Sequence, residues 1–438
     1  MKQLLSRPVV SWAFYDWANS AFATTVMAGF FPIFFKQYWS AGADVTVSTF
    51  RLGLANSIAS LTIAILAPVL GAIADASARK KNFLGFFACL GILMTAGLFL
   101  IGQGDWPFAI LLYVGASLGF LGGNVFYDSL IHSVSREEDL DRVSALGFAL
   151  GYLGGGLLFA FNVTLTLKPE WFGLADAAEA VRWSFLTVAV WWALFAIPLF
   201  RYVKEPPALA PSQVNAIRGG FRQLRQTFAQ IRQMRVTALF LCAYWLYIDG
   251  VDTIVVMAVD YGLSLGFAPE SLIVALLITQ FVGFPAALVF GHIGARLGAK
   301  TGIYIAILVY VAVTVWGAYL HSEQQFYVLA AVLGLVQGGI QSLSRSLYAR
   351  IIPPDQAAEF FGFYGLLGKF AAIIGPALVG TVSYLSGSPR IAILSIAVLF
   401  IAGGLLLTRV DVEEGRRNAL LASKSLSGRG PSPESLKV

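Results

Sequence analysis

The segment GAIADASARKK, residues 71–81, is short and charged and lies between two apolar runs, a pattern that indicates the fold class. Each run is about 20 residues long, the length that a helix needs to cross roughly 30 Å of hydrocarbon. A helix also satisfies its own backbone hydrogen bonds in lipid, so repetition of the pattern predicts a bundle of membrane helices. The predicted spans cover residues 9–36, 52–74, 83–102, 107–133, 143–167, 182–203, 237–259, 270–292, 301–320, 326–348, 358–383 and 390–409.

The composition is that of a membrane protein. Of the 438 residues, 58% are hydrophobic and 12% are charged, whereas about a quarter of the residues of a soluble domain are charged. Mean hydropathy is +0.74. Cys89 and Cys242 lie in apolar runs, which indicates neither a disulfide framework nor a metal site. We expect no metal and no cofactor, and we interpret the basic N-terminus and the run after it as a retained first span.

The net charge of +6 follows the predicted topology. Twelve crossings place both termini on one side of the membrane, and most of the loop lysines and arginines lie on that side. The positive-inside rule therefore predicts that both termini are cytoplasmic. Because topology accounts for the basic residues, no nucleic-acid partner is expected. The short loops, with no organelle-targeting segment, favour a bacterial inner membrane. We expect the protein to be a monomer.

Features of the first half recur in the second at offsets of 215–220 residues, which indicates an internal duplication. Gly71 corresponds to Gly291, Gly122 to Gly338, and Gly147 to Gly362. The predicted units are a six-helix bundle over 1–203, a cytoplasmic linker over 204–236, a second bundle over 237–409 and a disordered tail over 410–438. Within the linker, residues 221–234 fit either an amphipathic surface helix or a solvated loop.

The pattern Gly71-x3-Asp75-x3-Arg79-Lys80-Lys81 resembles the loop signature of the major facilitator superfamily. It departs from that signature where alanines replace an arginine and a glycine, and the second copy has Ala295 in place of the acid. The resemblance implies a charge network that breaks and reforms as the halves move. The alternative is that these charges only set topology. The gate implied by the resemblance consists of Gly71, Asp75, Arg79, Lys80 and Arg296.

Five segments spread over the chain carry a closer resemblance. Taken together, they are similar to the vacuolar amino-acid effluxer group of major facilitators and its bacterial relatives. This resemblance implies an all-α membrane protein of twelve transmembrane helices in two pseudo-symmetric six-helix bundles, with amino acids or related metabolites as substrates. The segments are WAFYDWANSAF (12–22), GFALGYLGGG (147–156), YIDGVDT (247–253), QGGIQSLSRSL (337–347) and FFGFYGLLGK (360–369).

Ionisable residues inside the predicted spans are candidates for the transport site, because each is costly at membrane depth unless it faces a cavity or a partner. Helix rise places Asp249 and Lys369 at similar depth near the midplane. We hypothesise that Lys369 binds a substrate carboxylate, that Asp249 or Asp252 binds an amine or a proton, and that Asp16 couples transport to protons. A static interhelical ion pair is the alternative. The full candidate set is Tyr15, Asp16, Asn19, Asn124, Asp128, Asp249, Asp252, Gln341, Arg345 and Lys369.

Three further patterns have simpler interpretations beside them. Asp128 and His132, one turn apart, resemble a titratable relay. The simpler interpretation is that His132 is an interfacial histidine with its hydrogen bonds satisfied. Arg345 is expected to pair with a carboxylate or to extend to the headgroups. Glycines at every fourth position from Gly147 to Gly155 predict a face for close helix packing.

The predicted function is secondary active transport of a small solute by alternating access, coupled to protons. An uncoupled facilitator and a lipid flippase of the same fold are the nearest alternatives. A membrane receptor is less favoured, since no signalling domain is recognisable. An enzyme is not expected, because no nucleophile and base occur at catalytic spacing. The chain also has no phosphate-binding loop of the kind that ATP-driven pumps use.

Overall fold

The computed structural model describes residues 4–205 and 229–426. Within them, twelve long helices follow one another along the chain, and a shorter helix comes after the twelfth. Numbered in chain order, they are α1 Arg7–Trp39, α2 Val45–Ser77, α3 Lys80–Gly97, α4 Trp106–Ser129, α5 Leu140–Leu167, α6 Ala177–Tyr202, α7 Arg235–Ser264, α8 Pro269–Leu297, α9 Ala299–Gly317, α10 Glu323–Arg350, α11 Ala357–Ser386, α12 Pro389–Thr408 and α13 Val412–Leu426.

The described residues contain twelve long helices that are candidates for membrane crossings. Eleven helices are long and apolar enough to span a membrane. The remaining one, α11, has 30 residues and is therefore about 45 Å long. Every predicted span overlaps one of these helices, so the predicted twelve-span, all-helical fold is confirmed.

Local sequence determines where the helices begin and end. Asp176 precedes α6, and its carboxylate accepts the backbone N–H of Glu179 at 2.7 Å, which satisfies a donor that has no partner within the first turn. Between α2 and α3 the chain turns at Ala78, whose φ of 48° is in the left-handed region. This tight turn brings Lys80 back against Asp75, at 2.8 Å.

The two halves of the chain contact each other through matching helix pairs. The main contacts lie between α2 and α11 and between α5 and α8, with further contacts from α10 to α5 and from α11 to α4. We refer to the first two as the α2–α11 crossing and the α5–α8 crossing. Because the same pair of positions is used from each half, the arrangement is pseudo-symmetric.

A pair of lysines shows the same repeat at the level of hydrogen bonds. Lys81 Nζ donates to the carbonyl oxygens of Phe200 and Val203, both at 2.7 Å, at the end of α6. Lys300 Nζ donates to the carbonyl oxygen of Val410 at 2.7 Å, just after α12. Each lysine thus donates hydrogen bonds to carbonyl oxygens at the end of a helix, which have no backbone N–H partner within that helix.

The helix α13 lies across one end of the bundle. Arg416 on α13 forms an ion pair with Glu137, in the loop before α5, and Ser423 is hydrogen-bonded to Asp355, in the loop before α11. We call this end, where α2, α4 and α10 end and α3, α5 and α11 begin, the tail face. The sequence predicted a disordered tail over 410–438, whereas the structure has a helix at Val412–Leu426, and residues 427–438 are outside the described residues.

The predicted linker, 204–236, lies mostly outside the described residues, as does most of the predicted surface helix over 221–234. Its first part is described. The carboxylate of Glu205 accepts the backbone N–H groups of Lys80 at 2.6 Å and Lys81 at 3.2 Å, at the beginning of α3. The predicted domain boundaries remain predictions.

Candidate functional site

Arg345 is buried where the two halves meet. It lies on α10 and is 2% exposed. Its Nη1 donates to Asp128 Oδ1 at 2.8 Å and lies 3.5 Å from Asp16 Oδ2, while its Nε donates to Ser144 Oγ at 2.9 Å. These partners belong to α4, α1 and α5, so one arginine of the second half holds together three helices of the first. Arg345 therefore pairs with carboxylates and does not extend to the headgroups.

Aromatic rings surround the guanidinium. Its carbon lies 4.3 Å from the ring centre of Phe148, 4.9 Å from that of Trp12 and 5.5 Å from that of Tyr127, distances at which a cation is attracted to a ring face. The Tyr127 hydroxyl donates to Asp16 Oδ2 at 2.9 Å, and Trp12 Nε1 donates to the Tyr127 carbonyl at 3.0 Å. The rings thus exclude water and fix the orientation of one carboxylate.

Gly147 makes room for this cluster. A Cβ atom there would come within 2.9 Å of Arg345 Nη2, Asp16 Oδ2 and the Tyr127 hydroxyl. Four and eight residues further along α5, Gly151 and Gly155 lie against α1 in the same way. The predicted face for close helix packing is confirmed, and its first glycine also allows the arginine to reach the carboxylates.

The cluster contains more acidic than basic groups. Asp16 and Asp128 face Arg345. The exposed fraction of the side chain is 13% for Asp16, 20% for Asp128 and 3% for Arg345. Two ionised carboxylates and one guanidinium leave one negative charge unbalanced, which is costly away from water. A proton on either carboxylate would balance it.

Other candidate residues form polar pairs closer to the middle of the helices. Asn19 Nδ2 donates to Asn124 Oδ1 at 2.6 Å, between α1 and α4. The hydroxyl of Tyr152 on α5 donates to Gln341 Oε1 on α10 at 3.2 Å, which joins the two halves. Tyr15 is fully buried, and its ring stacks on another tyrosine of the cluster described above.

In the second half, Asp249 is fully buried on α7. Its Oδ1 accepts the backbone N–H of Gly375 on α11 at 3.0 Å and the Thr253 hydroxyl at 3.4 Å. Asp252 is half-buried one turn further along α7. The predicted partner, Lys369, has a side chain outside the described residues, so the pairing of Asp249 with Lys369 remains a prediction.

At the α2–α11 crossing, a carboxylate of the first half binds a helix terminus of the second. Asp75 accepts the backbone N–H groups of Ala358 at 3.2 Å and Glu359 at 2.8 Å, in the first turn of α11, where unpaired N–H groups favour negative charge. Lys80 pairs with the same carboxylate. A Cβ atom at Gly71 would overlap the backbone of both α11 residues, so only glycine permits this approach.

The remaining residues of the predicted gate are placed differently. Arg79 and Arg296 are exposed on the tail face. His132 lies in the short helix Ile131–Val134, where burial and the nearby charge of Lys80 lower the pKa of its imidazole to about 3. This favours the simpler interpretation of an uncharged histidine, and the relay with Asp128 stays a prediction.

Sequence reasoning missed a second set of contacts between the halves. Asp141, in the first turn of α5, accepts the Ser346 hydroxyl at 2.5 Å and pairs with Arg350 at 3.2 Å. It lies beside Gly294, at the end of α8. Ala295, which replaces the acid of the loop signature in the second copy, was the available signal, since it implies that another acid holds this crossing.

Metal binding has little support in the described part of the chain. Within residues 4–205 and 229–426, no three His, Cys, Asp or Glu side chains are grouped closely enough to hold an ion. Cys89 and Cys242 are free and exposed.

Comparison with known proteins identifies the family. The model of the family described as vacuole effluxer Atg22 like matches residues 39–139 and 132–420. The chain belongs to this Atg22-like family. It is 38% identical over 405 residues to the uncharacterized MFS-type transporter YxiO of Bacillus subtilis (strain 168), covering 92% of this chain and 94% of that protein. It is 28% identical over 311 residues to autophagy-related protein 22-1 of Aspergillus niger, covering 66% of this chain. The chain spans about half the length of that fungal relative.

Solved structures agree on the fold. The human organic anion transporter MFSD10 superimposes with a TM-score of 0.67 at 17% identity, over 92% of this chain and 99% of that one. The proton:xylose symporter XylE superimposes with a TM-score of 0.67 at 10% identity, over 94% of this chain and 96% of that one. This Atg22-like protein therefore has the major facilitator fold. Together with the family match, the comparisons show a transporter of small solutes in a membrane and not an enzyme.

Proposed function

We propose that this protein is a secondary active transporter that moves an amino acid or a related metabolite by alternating access and couples that movement to protons. The observation that carries the proposal is the burial of Arg345 between Asp16 and Asp128. These groups come from opposite halves, so separating the halves at the tail face pulls the guanidinium away from both carboxylates. The state of the cluster and the state of the gate are thereby linked.

Protonation supplies the coupling. While the tail face is closed, one proton balances the second carboxylate of the cluster. When the halves separate, water reaches Asp16 and Asp128, and the proton can leave or exchange. A proton held in one conformation and exchanged in the other is the requirement for coupling under alternating access.

The gate lies at the tail face. Asp75 and Lys80 hold the α2–α11 crossing, and Gly71 permits its close contact. Arg79 and Arg296 add positive charge to the same face. By the positive-inside rule this face is cytoplasmic, so the proposed conformation is one that is closed to the cytoplasm. We further propose that the protein is a monomer in a bacterial inner membrane.

The substrate site is proposed to lie deeper in the bundle. Asn19, Asn124 and Gln341 offer amide groups, and Tyr15 offers an aromatic face. Asp249 or Asp252 is the proposed site for an amine or a proton. Lys369 is the proposed partner of a carboxylate. Support for an amino-acid substrate comes from the five sequence segments that resemble the vacuolar amino-acid effluxer group and from the presence of residues of opposite charge, Asp249 and Lys369, on α7 and α11.

The test is transport by purified protein in liposomes, using a panel of radiolabelled amino acids and related metabolites with and without an imposed pH gradient. We expect at least one amino acid to accumulate, and accumulation to depend on the gradient. Asp128→Asn should abolish the dependence, because the amide cannot exchange a proton. The exposed pair partner Glu138→Gln is the matched control. Flux that ignores the gradient would make the protein a facilitator, and movement of labelled lipid alone would make it a flippase.

A further inference from the structure

The helix α13 is stabilised by its own sequence. Asp411 precedes it, and its Oδ1 accepts the backbone N–H groups of Glu413 and Glu414, both at 3.0 Å. These two glutamates place negative charge in the first turn and Lys424 places positive charge in the last, which stabilises both ends. The 15 residues of Val412–Leu426 form a helix about 22 Å long, or about two helix diameters.

One face of α13 packs on the second half of the chain. A Cβ atom at Gly415 would come within 2.9 Å of side chains at the end of α10 and at the start of α7. Ala419 is 2% exposed, and Ser423 is hydrogen-bonded to Asp355 in the loop before α11. Because Gly415, Ala419 and Ser423 recur at every fourth position, they share this face. We therefore expect α13 to move with the second half.

A side chain beside this face reaches the first half. Arg416 Nη2 donates to Glu137 Oε2 at 3.1 Å, and its Nε forms an ion pair with Oε1 of the same carboxylate. Such two-point contacts are the strong form of arginine–carboxylate pairing. Arg350 on α10 donates to the backbone carbonyl of Glu137 at 3.3 Å. Two arginines of the second half thus hold one loop residue of the first.

The Arg416–Glu137 pair is accessible to water and to dissolved ions. The exposed fraction of the side chain is 44% for Arg416 and 40% for Glu137, whereas it is 3% for Arg345. Salt weakens the attraction between exposed charges much more than that between buried ones. The strength of this contact between the halves therefore depends on the ionic strength at the tail face.

We propose that α13 is a strap that holds the tail face closed through Arg416 and Glu137 and loosens as ionic strength rises. Glu137 moves with the first half and α13 with the second, so separation of the halves at this end breaks their ion pair. The strap thereby shifts the equilibrium between the closed and open conformations without contacting the substrate. This inference rests on the alternating-access part of the proposed function, and not on its substrate or its coupling to protons.

The test is the distance between spin labels at Ala76 and Arg296, both exposed on the tail face, in full-length protein in detergent after the native cysteines are replaced. At low salt, Glu137→Gln should raise the fraction of open molecules about two- to fivefold, the range expected for an exposed ion pair. Arg416→Gln should do the same, and the double variant should add little, because either change breaks the same pair. Salt at about 1 M, where the screening length is about 3 Å, should raise the open fraction of the wild type to that of the variants.

Two neighbouring substitutions are the matched controls, and neither should change the distance distribution. Glu138→Gln removes an acid whose side chain is 75% exposed and whose partner, Arg136, belongs to the same half. Arg417→Gln removes an exposed basic residue of α13. Wild-type distances in both Glu137→Gln and Arg416→Gln would overturn the proposal, as would equal opening in the controls. Flux in liposomes separates the two proposals: if flux follows a pH gradient but the distances do not respond, only the strap is wrong.

Discussion

The α2–α11 and α5–α8 crossings have the same backbone arrangement but are held by different chemistry. At the first, Asp75 binds two backbone N–H groups in the first turn of α11. At the second, the equivalent position is Ala295, and the acid lies instead on α5, where Asp141 packs beside Gly294 of α8 and binds the side chains of Ser346 and Arg350 on α10. Both copies of the duplicated unit thus keep the close helix contact, but the acidic residue lies on α2 at the first crossing and on α5, not α8, at the second.

Because of this difference, the α2–α11 crossing is held through backbone groups, whereas the α5–α8 crossing lies beside side-chain ion pairs. Backbone N–H groups carry no net charge and do not titrate, so the α2–α11 crossing depends on a single carboxylate and its lysine. The α5–α8 crossing adjoins Arg345, whose partners are carboxylates and a serine of α5. Side-chain ion pairs of this kind respond to protonation and exchange partners when the halves move. We therefore expect changes at Arg345 to affect coupling, and changes at the α2–α11 crossing to affect mainly the conformational equilibrium.

The largest effect is expected from Arg345→Met. The substitution leaves Asp16 and Asp128 buried without their guanidinium, and breaking a buried ion pair in this way costs about 3–5 kcal/mol. The free energy of unfolding, measured by denaturant titration in detergent, should fall by that amount. Flux driven by a pH gradient should fall roughly a hundredfold, equivalent to about 3 kcal/mol at about 1.4 kcal/mol per factor of ten, because the carboxylates lose the guanidinium that links them to the second half.

The control for this prediction is Arg136→Met, whose side chain is 72% exposed and whose loss should change neither quantity. A triple variant that adds Asp16→Asn and Asp128→Asn to Arg345→Met should recover most of the stability but none of the coupling. If Arg345→Met alone keeps wild-type stability and flux, the cluster does not connect the halves.

An intermediate effect is expected from adding a methyl group at each crossing. Gly71→Ala would overlap three backbone atoms of α11, whereas Gly291→Ala would overlap mainly the methyl group of Ala145. Overpacking of this kind costs about 1–3 kcal/mol, and separation of the helices relieves it. Both variants should open the tail face, the first more than the second. The measurement is the distance between spin labels at Ala76 and Arg296, both exposed on that face, after the native cysteines are replaced.

Gly380→Ala on α11 is the matched control, because a Cβ atom there has no neighbour within 4 Å. It should leave the distance distribution unchanged. A larger opening in Gly291→Ala than in Gly71→Ala would reverse the assignment of the tighter crossing.

The helices and the duplication were predictable from sequence because apolar length and glycine spacing are local patterns. The partners of the buried charges were only partly predictable. Arg345 was expected either to pair with a carboxylate or to extend to the headgroups. Its simultaneous contact with Asp16 and Asp128 depends on three helices meeting, which the spacing of residues along the sequence does not specify. Asp141 was missed because an acid in the first turn of a helix is common at any helix N-terminus. Its function follows only from the packing of α5 against α8 and α10.

The smallest effect, and the most direct test of the comparison, comes from restoring the missing acid. Asp75 binds the N–H groups of the second and third residues of α11, and the second and third residues of α5 are Asp141 and Arg142. Ala295→Asp alone places a carboxylate beside Asp141 and should destabilise the protein by about 1 kcal/mol through like-charge repulsion. In an Asp141→Asn background the same change should stabilise by about 1 kcal/mol, because the new carboxylate can bind the helix terminus.

The quantity to measure is the coupling free energy from denaturant titration of the two single variants and the double variant. Ala76→Asp, at an exposed position on the tail face, controls for added negative charge and should show no coupling to Asp141→Asn. Coupling of about 2 kcal/mol, with the sign change described, would mean that both crossings accept the same chemistry and that the acid moved from one helix to its partner. Additive single effects would mean that the α5–α8 crossing cannot be held through backbone N–H groups. The side-chain pairs of Asp141 would then be a requirement of that crossing and not a substitute for the missing acid.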